Sequence, residues 1–246
     1  MKFLKNKIHS LLDANGYVLK KKYDIDVPQE FIDLHTEVSS ITMTSQERQY
    51  ALYKAVAYLT QNSIEGDIVE CGVWKGGCSV LIAKLLERAG DTKRSLYLYD
   101  TFSGMPAPGS NDISWNGVNA LGRWKDRQKG EINTWDYASL DEVKRNMYKT
   151  QYPEKSIHFI QGKVEETIPR TAPATIALLR LDTDWYESTR HELEHLFPRI
   201  VPGGVLIIDD YGHWKGVQKA VDEYFSEKNI RIFLNRIDYT GRIGIK

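Results

Sequence analysis

Acidic residues gather where apolar runs end in this sequence. Leu179-Arg180-Leu181 runs into Asp182-Thr183-Asp184, and Val205-Leu206-Ile207-Ile208 runs into Asp209-Asp210. Val69-Glu70-Cys71 carries a carboxylate just before a glycine turn, and Leu96-Tyr97-Leu98-Tyr99 ends at Asp100. Carboxylates that converge repel one another and raise one another's pKa unless a cation sits among them. Oxygen donors without a Cys or His cluster select a hard cation, Mg²⁺ first, with Mn²⁺ or Ca²⁺ as alternatives. Asp182, Asp209 and Asp210 are the candidate ligands. The plainer alternative is that Asp209-Asp210 form a helix-capping turn. Asp184 is expected to point elsewhere or to cap the helix that begins near Ser188.

The run Val69-Glu70-Cys71-Gly72-Val73-Trp74-Lys75-Gly76-Gly77-Cys78-Ser79 is a strand, a glycine turn and a helix start. Such turns let a ligand approach the backbone, and a helix N-terminus offers free N–H groups to an anion. The spacing of Gly72, Gly76 and Gly77 is not the Gly-x-Gly-x-x-Gly of a dinucleotide site. Glu70 would repel a pyrophosphate but tolerate an α-amino group or a sulfonium. The methionyl part of S-adenosylmethionine carries both, with a carboxylate for the N–H groups. Asp100 can accept hydrogen bonds from ribose hydroxyls, as such residues also do in NAD sites. Gly162, within Gln161-Gly162-Lys163-Val164-Glu165-Glu166, is placed to line an adenine.

A metal beside a sulfonium methyl donor can chelate adjacent hydroxyls of an acceptor and lower the pKa of one of them. Methyl transfer is an in-line displacement, so holding oxygen, methyl and sulfur in line supplies much of the rate. A base must take the hydroxyl proton. Asp182 and His213 are the two candidates.

These residues need a scaffold that brings strand ends together. Apolar runs at Ile68–Cys71, Leu96–Tyr99, His158–Gln161, Ile176–Leu181 and Val205–Ile208 alternate with helical stretches at Ser79–Leu86, Leu140–Lys149, Ser188–Phe197 and Gly216–Glu227. This alternation predicts an α/β fold, a mostly parallel sheet with helices on both faces. Runs of nearly continuous apolar residues fit strands buried on both sides. Ligands in such sheets bind beyond the carboxyl ends of the strands, where strand order reverses, and the acidic residues fall there. Ile230–Arg236 and Arg242–Ile245 are expected to close the sheet as a hairpin. Ser45-Gln46-Glu47-Arg48 opens a further helix, with Thr44 or Ser45 as its cap.

One domain is expected over residues 1–246, with a helical N-terminal cap at 1–62 and an insertion at 105–137. Phe3, Leu4, Ile8, Leu11 and Leu12 have helical spacing and predict a docked N-terminal helix. The insertion holds Trp115, Trp124 and Trp135, half of the 6 tryptophans, which argues against disorder. It is read either as a lid over an acceptor or as a loop pinned to the body by its rings.

Lys+Arg and Asp+Glu are 33 each, and this balance excludes a general nucleic-acid or acidic-membrane binder. No apolar run approaches a membrane span, and the N-terminus lacks the apolar core of a signal peptide. With 2 cysteines, Cys71 and Cys78, no disulfide framework is expected, and a reducing, cytoplasmic setting is the default.

Taken together, the chain resembles the macrocin O-methyltransferase family, metal-dependent sugar methyltransferases of antibiotic biosynthesis. The resemblance rests on Thr42-Met43-Thr44-Ser45, the run Gly66 to Gly77, Tyr99 to Pro106, Leu179 to Thr189, Pro202-Gly203-Gly204, Ile207 to Gly212 and Arg236 to Gly241. It implies a class I methyltransferase fold, a seven-stranded sheet with the last strand antiparallel. It implies Mg²⁺ at Asp182, Asp209 and Asp210, and S-adenosylmethionine against Glu70, Gly72, Asp100, Met43, Ser103 and Gly162. Asp182, between the two, is counted with both. In the similar catechol enzymes a serine meets the methionyl carboxylate, and here Cys78 and Ser79 are the candidates. Those enzymes carry a lysine base at the position that Trp185 occupies here. The resemblance also implies a sugar-containing acceptor with a neighbouring hydroxyl, and a homo-oligomer. An NAD-dependent nucleotide-sugar oxidoreductase and a non-catalytic binding module of the same fold are the rivals. Calorimetric titration separates them: S-adenosylhomocysteine is expected to bind at micromolar concentration and NAD not at all, whereas binding of NAD alone would contradict the methyltransferase reading.

Overall fold

The structure is a computed structural model that describes residues 11–12, 14–17 and 26–246. The expected N-terminal helix lies outside the described residues, except for Leu11 and Leu12, which are helical. Seven strands form the main sheet: β1 (Asp67–Cys71), β2 (Leu96–Asp100), β3 (Ile157–Gln161), β4 (Ile176–Leu181), β5 (Ile200–Ile208), β6 (Asn235–Arg236) and β7 (Arg242–Ile245). In space they run β3-β2-β1-β4-β5-β7-β6. The first five pair in parallel, and β7 is antiparallel to both β5 and β6. This is the expected sheet.

The helices are α1 (Gln29–Val38), α2 (Gln46–Gln61), α3 (Gly77–Arg88), α4 (Ala120–Arg127), α5 (Leu140–Met147), α6 (Val164–Thr167), α7 (Tyr186–Leu196) and α8 (Lys215–Glu227). Successive strand residues face opposite ways, so the sheet feeds two cores. Ile68, Leu98 and Leu178 pack with Leu34, Leu52 and Leu81 of α1, α2 and α3. Val69, Leu179 and Leu206 pack with Leu193 of α7 and Val221 of α8 on the other face. Among the described residues, no helix is long and apolar enough to cross a membrane.

Strand order reverses at β1, which has β2 on one side and β4 on the other. Their carboxyl ends therefore open the crevice in which ligands of such sheets bind. Backbone geometry locks this point. Asp182 N–H donates to the Cys71 carbonyl at 2.8 Å, and Gly72 follows with φ +81°. A Cβ on Gly72 would collide with the Asp182 carbonyl, so the approach of the two strand ends requires glycine.

Two expectations are corrected. The chain before β6 is not a strand from Ile230; only Asn235–Arg236 pair, opposite Ile243 and Arg242. β7 has 4 residues and cannot template a longer partner. Ile230, Ile232 and Leu234 turn onto the core instead. The 105–137 segment is also not irregular throughout: it contains α4 and a short ribbon pairing Gln128–Lys129 with Ile132–Asn133. It is tied to the body. Trp185 Nε1 donates to the Pro106 carbonyl at 3.0 Å, and within the segment Trp124 Nε1 donates to that of Met105 at 2.8 Å. Asp112, wholly buried, accepts from Gly109 N–H at 2.6 Å and from Tyr186 N–H at 2.8 Å, capping α7 from outside the helix.

Gly72→Ala is expected to lower stability by about 2–4 kcal/mol, the combined effect of a left-handed backbone and a backbone collision. A denaturant midpoint unchanged from the wild type would show that the strand ends do not need this contact.

Candidate active site

The site is built around a buried cation. Arg180 is the penultimate residue of β4, in register with Glu70 of β1, and each is 2% exposed. Its Nη1 meets Glu70 Oε1 and Asp182 Oδ2, both at 2.8 Å, and its Nη2 meets Asp209 Oδ1 at 2.7 Å. The second oxygen of Glu70 accepts from the Ser79 hydroxyl. Arg48 enters from α2, bonding Asp209 and, at 3.1 Å through Nε, Asp238. Ser45 caps α2 by accepting from Arg48 N–H at 3.1 Å, and its hydroxyl donates to Asp238 at 2.7 Å. Burial pushes Glu70 up to about 7 and Asp209 up to about 6, with Arg180 opposing in both cases.

Beyond Arg180 the carboxylates outnumber the cations. Ligand oxygens of Asp182, Asp209 and Asp210 lie within 4.8 Å of one another. Among the described residues, none hydrogen-bonds the buried Oδ2 of Asp210. Asp184 does not cap α7, whose N-cap is Trp185. It turns inward with φ +65° and accepts from Trp214 Nε1 at 2.8 Å. Burial, then the neighbouring carboxylates, hold Asp184 and Asp210 well above the usual carboxylate range. Two guanidiniums face six carboxyl groups: Glu70, Asp182, Asp184, Asp209, Asp210 and Asp238. A hard divalent cation fits this donor set, because it would satisfy the orphaned Asp210 oxygen and offset the excess charge. The capping alternative for Asp209-Asp210 fails, since α8 starts at Lys215 with Trp214 as its N-cap.

Two adjoining cavities meet at this cluster and share Met43, Trp74, Asp136, Asp182 and Asp184. The smaller, about 90 Å³, is lined by Gly72, Asp100 and Gly162, with Lys163 and Val164 beside them. The larger, about 330 Å³, is lined by Glu70, Cys78, Asp209, Asp210 and His213. Ser79 and Ser103 line neither. The Ser79 hydroxyl is spent on Glu70, and the Ser103 carbonyl accepts from Asn133 N–H at 2.9 Å. Asp100 accepts from the N–H groups of Val73, Trp74 and Phe102 at 2.9, 3.1 and 2.8 Å, fixing the glycine turn while its remaining lone pairs stay available. The Cys78 thiol sits 3.6 Å from both the Thr42 and Thr44 hydroxyls, and burial pushes it up to about 11, so it stays neutral. His213 Nδ1 lies 2.9 Å from the Tyr239 hydroxyl. Burial, then Arg123 and Arg48, lower its pKa and favour the neutral ring.

Sequence reasoning did not find Arg180, Arg48, Asp184, Arg123 or Asp136 as site residues. Arg180 had a readable signal: it and Glu70 are charges inside apolar strand runs, which only a mutual pairing makes tolerable. Arg48 and Asp238 had none, being joined only by the tertiary fold.

The sequence profile of the family described as Macrocin-O-methyltransferase (TylF) matches residues 3–243. The 8-demethyl-8-(2,3-dimethoxy-alpha-L-rhamnosyl)-tetracenomycin-C 4'-O-methyltransferase of Streptomyces olivaceus is 34% identical over 200 residues, 81% of this chain and 73% of that one. The demethyldecarbamoylnovobiocin O-methyltransferase of Streptomyces niveus is 33% identical over 201 residues, with the same shares of 81% and 73%. The solved structure of the O-methyltransferase NovP superposes with a TM-score of 0.71 at 31% identity, covering 84% of this chain and 82% of its own.

Removing the central cation leaves buried carboxylates unpaired. Arg180→Met is expected to destabilise the fold by about 3–5 kcal/mol, with partial recovery when Glu70→Gln is added. Equal denaturant midpoints for Arg180→Met and wild type would show that the pairing does not support the fold.

Proposed function

The chain belongs to the macrocin O-methyltransferase family, and from that membership we propose that it moves the methyl group of S-adenosylmethionine to a sugar hydroxyl flanked by a second hydroxyl, with Mg²⁺ held at Asp182, Asp209 and Asp210. The observation that carries this reading is the junction of the two cavities at an acidic cluster whose Asp210 Oδ2 has no hydrogen-bond partner among the described residues. The relative from Streptomyces olivaceus is named for a rhamnosyl-bearing acceptor, which supports a sugar as the group methylated.

In this reading the adenosyl part occupies the smaller cavity. Asp100 takes the ribose and Gly162 and Lys163 face the base. The methionyl part passes Gly72 toward Cys78, Thr42 and Thr44, with Met43 over it. The acceptor sugar occupies the larger cavity among Trp135, Trp214 and His213. The 105–137 segment serves as its lid, and residues 1–62 cap a single domain.

The reaction forms a bond from acceptor oxygen to methyl carbon and breaks the bond from that carbon to sulfur. Asp182, Asp209 and Asp210 would hold the cation, and its chemistry there would be that of a Lewis acid lowering the pKa of an acceptor hydroxyl. His213 takes the proton from that hydroxyl. Its neutral ring lines the acceptor cavity and Tyr239 holds the Nδ1 side, whereas the Asp182 carboxylate is already engaged by Arg180. Arg180 keeps Asp182 and Asp209 in place through ion pairs at 2.8 and 2.7 Å. The aromatic walls exclude water from the transferring methyl.

The substitutions divide the roles. His213→Gln is expected to lower kcat by about 10²–10⁴-fold and leave S-adenosylhomocysteine and Mn²⁺ affinities unchanged. Asp182→Asn is expected to abolish both turnover and Mn²⁺ binding, measured by radiolabelled methyl transfer and calorimetry. Full activity and metal affinity in Asp182→Asn would rule out its roles, and full activity in His213→Gln would pass the base to Asp182.

A further inference from the structure

The larger cavity has an acidic inner end, and its outer part carries the exposed Arg123 with the carboxyl of Asp136 nearby. At the inner end Asp209 is 2% exposed and both nearby arginines are committed: Arg180 to Glu70, Asp182 and Asp209, and Arg48 to Asp209 and Asp238. The third arginine of the lining, Arg123, is different. It projects from α4 of the 105–137 segment, is exposed, and lies 4.0 Å over the ring of Trp135. Beyond this stacking and its field on Asp136 and His213, no hydrogen bond or ion pair ties it to any described residue.

The platform under Arg123 is rigid. Trp135 is 5% exposed and packs edge-on against Trp185 at 5.6 Å and tilted against Trp214 at 6.1 Å. A guanidinium held over an indole loses little further freedom on binding and keeps N–H donors of its planar fork open. That fork matches the paired oxygens of a phosphate or a carboxylate. The carboxylates at the inner end repel an anion, so an anionic group on an acceptor must stay at the mouth, where Arg123 stands. A neutral sugar ring can enter past it toward His213.

We propose that Arg123, stacked on Trp135, is the receptor for an anionic group carried by the acceptor beside the sugar that is methylated. The ligand class is a sugar bearing a phosphate, as in a nucleotide sugar, or a carboxylate, as in a uronic acid. This rests on the proposed methyl transfer to a sugar, and it adds that the acceptor is charged.

The test is binding, so it does not depend on knowing the native acceptor. The full chain, loaded with S-adenosylhomocysteine, is titrated with two matched pairs at fixed ionic strength: dTDP against thymidine, and methyl glucuronide against methyl glucoside. The titrations are repeated in EDTA, which removes any binding through a divalent cation. In at least one pair the anionic member is expected to bind about tenfold more tightly than its neutral partner, the scale of a charge-assisted hydrogen bond. The pair that shows the preference identifies phosphate or carboxylate. Arg123→Gln is expected to abolish the preference and Arg123→Lys to retain part of it, with S-adenosylhomocysteine affinity unchanged in both. No preference in either pair, or a preference that survives Arg123→Gln in EDTA, overturns the proposal. Failure of S-adenosylhomocysteine itself to bind counts against the methyl-transfer reading, separately from the anion result.

Discussion

A guanidinium buried in the middle of a parallel sheet is the constraint on which the rest of this structure depends. Arg180 occupies a position that its apolar neighbours Leu179 and Leu181 define as core. Taking such a charge out of water is tolerated only when its partners are close and well aligned. Those partners are Glu70 from β1, Asp182 from the end of its own strand and Asp209 from the end of β5. One residue thereby fixes the relative position of three strand ends. The same contact explains why acidic residues can crowd here at all. Each is pulled toward a shared cation, and the oxygens left over converge on a single point.

The network reaches outward in two directions. Through Arg48 and Ser45 it joins α2 to the turn between β6 and β7, so α2 forms part of the site wall. Through Asp184 and Trp214 it joins the aromatic cluster of Trp135 and Trp185, which fastens the 105–137 segment over the larger cavity. Asp184 carries a left-handed backbone conformation, and strain of that kind persists where surrounding contacts over-determine it. The two cavities therefore share walls and cannot be shaped independently.

Much of this was legible in the sequence. The alternation of apolar runs and helical stretches carried the sheet, and the carboxylates at run ends carried the acidic cluster, because both follow from local pattern. Glu70, Asp100 and Asp182, named from their places at run ends, line the two cavities. What escaped depended on tertiary placement. Ser79 and Cys78 are neighbours in sequence, and only the packing of α3 turns the first onto Glu70 and the second toward the cavity. Asp184 was set aside because strand periodicity carries no signal for a left-handed turn that swings a side chain back inward. The final hairpin was overextended because apolar residues at Ile230, Ile232 and Leu234 read alike whether they pair in a sheet or pack on a core. Arg48 and Arg123 lie on ordinary amphipathic helices, where an arginine at a site and one on a solvated face look the same.

The central claim is that the oxygens of Asp182, Asp209 and Asp210 are arranged for one divalent cation at the junction of the two cavities. Diffraction from crystals grown with Mn²⁺ and S-adenosylhomocysteine, recorded at an energy where manganese scatters anomalously, tests it directly. The account predicts one anomalous peak bonded to those three carboxylates, with Arg180 still bridging Glu70 and Asp209. A site without a peak, with Asp210 turned to another protein partner, would contradict it.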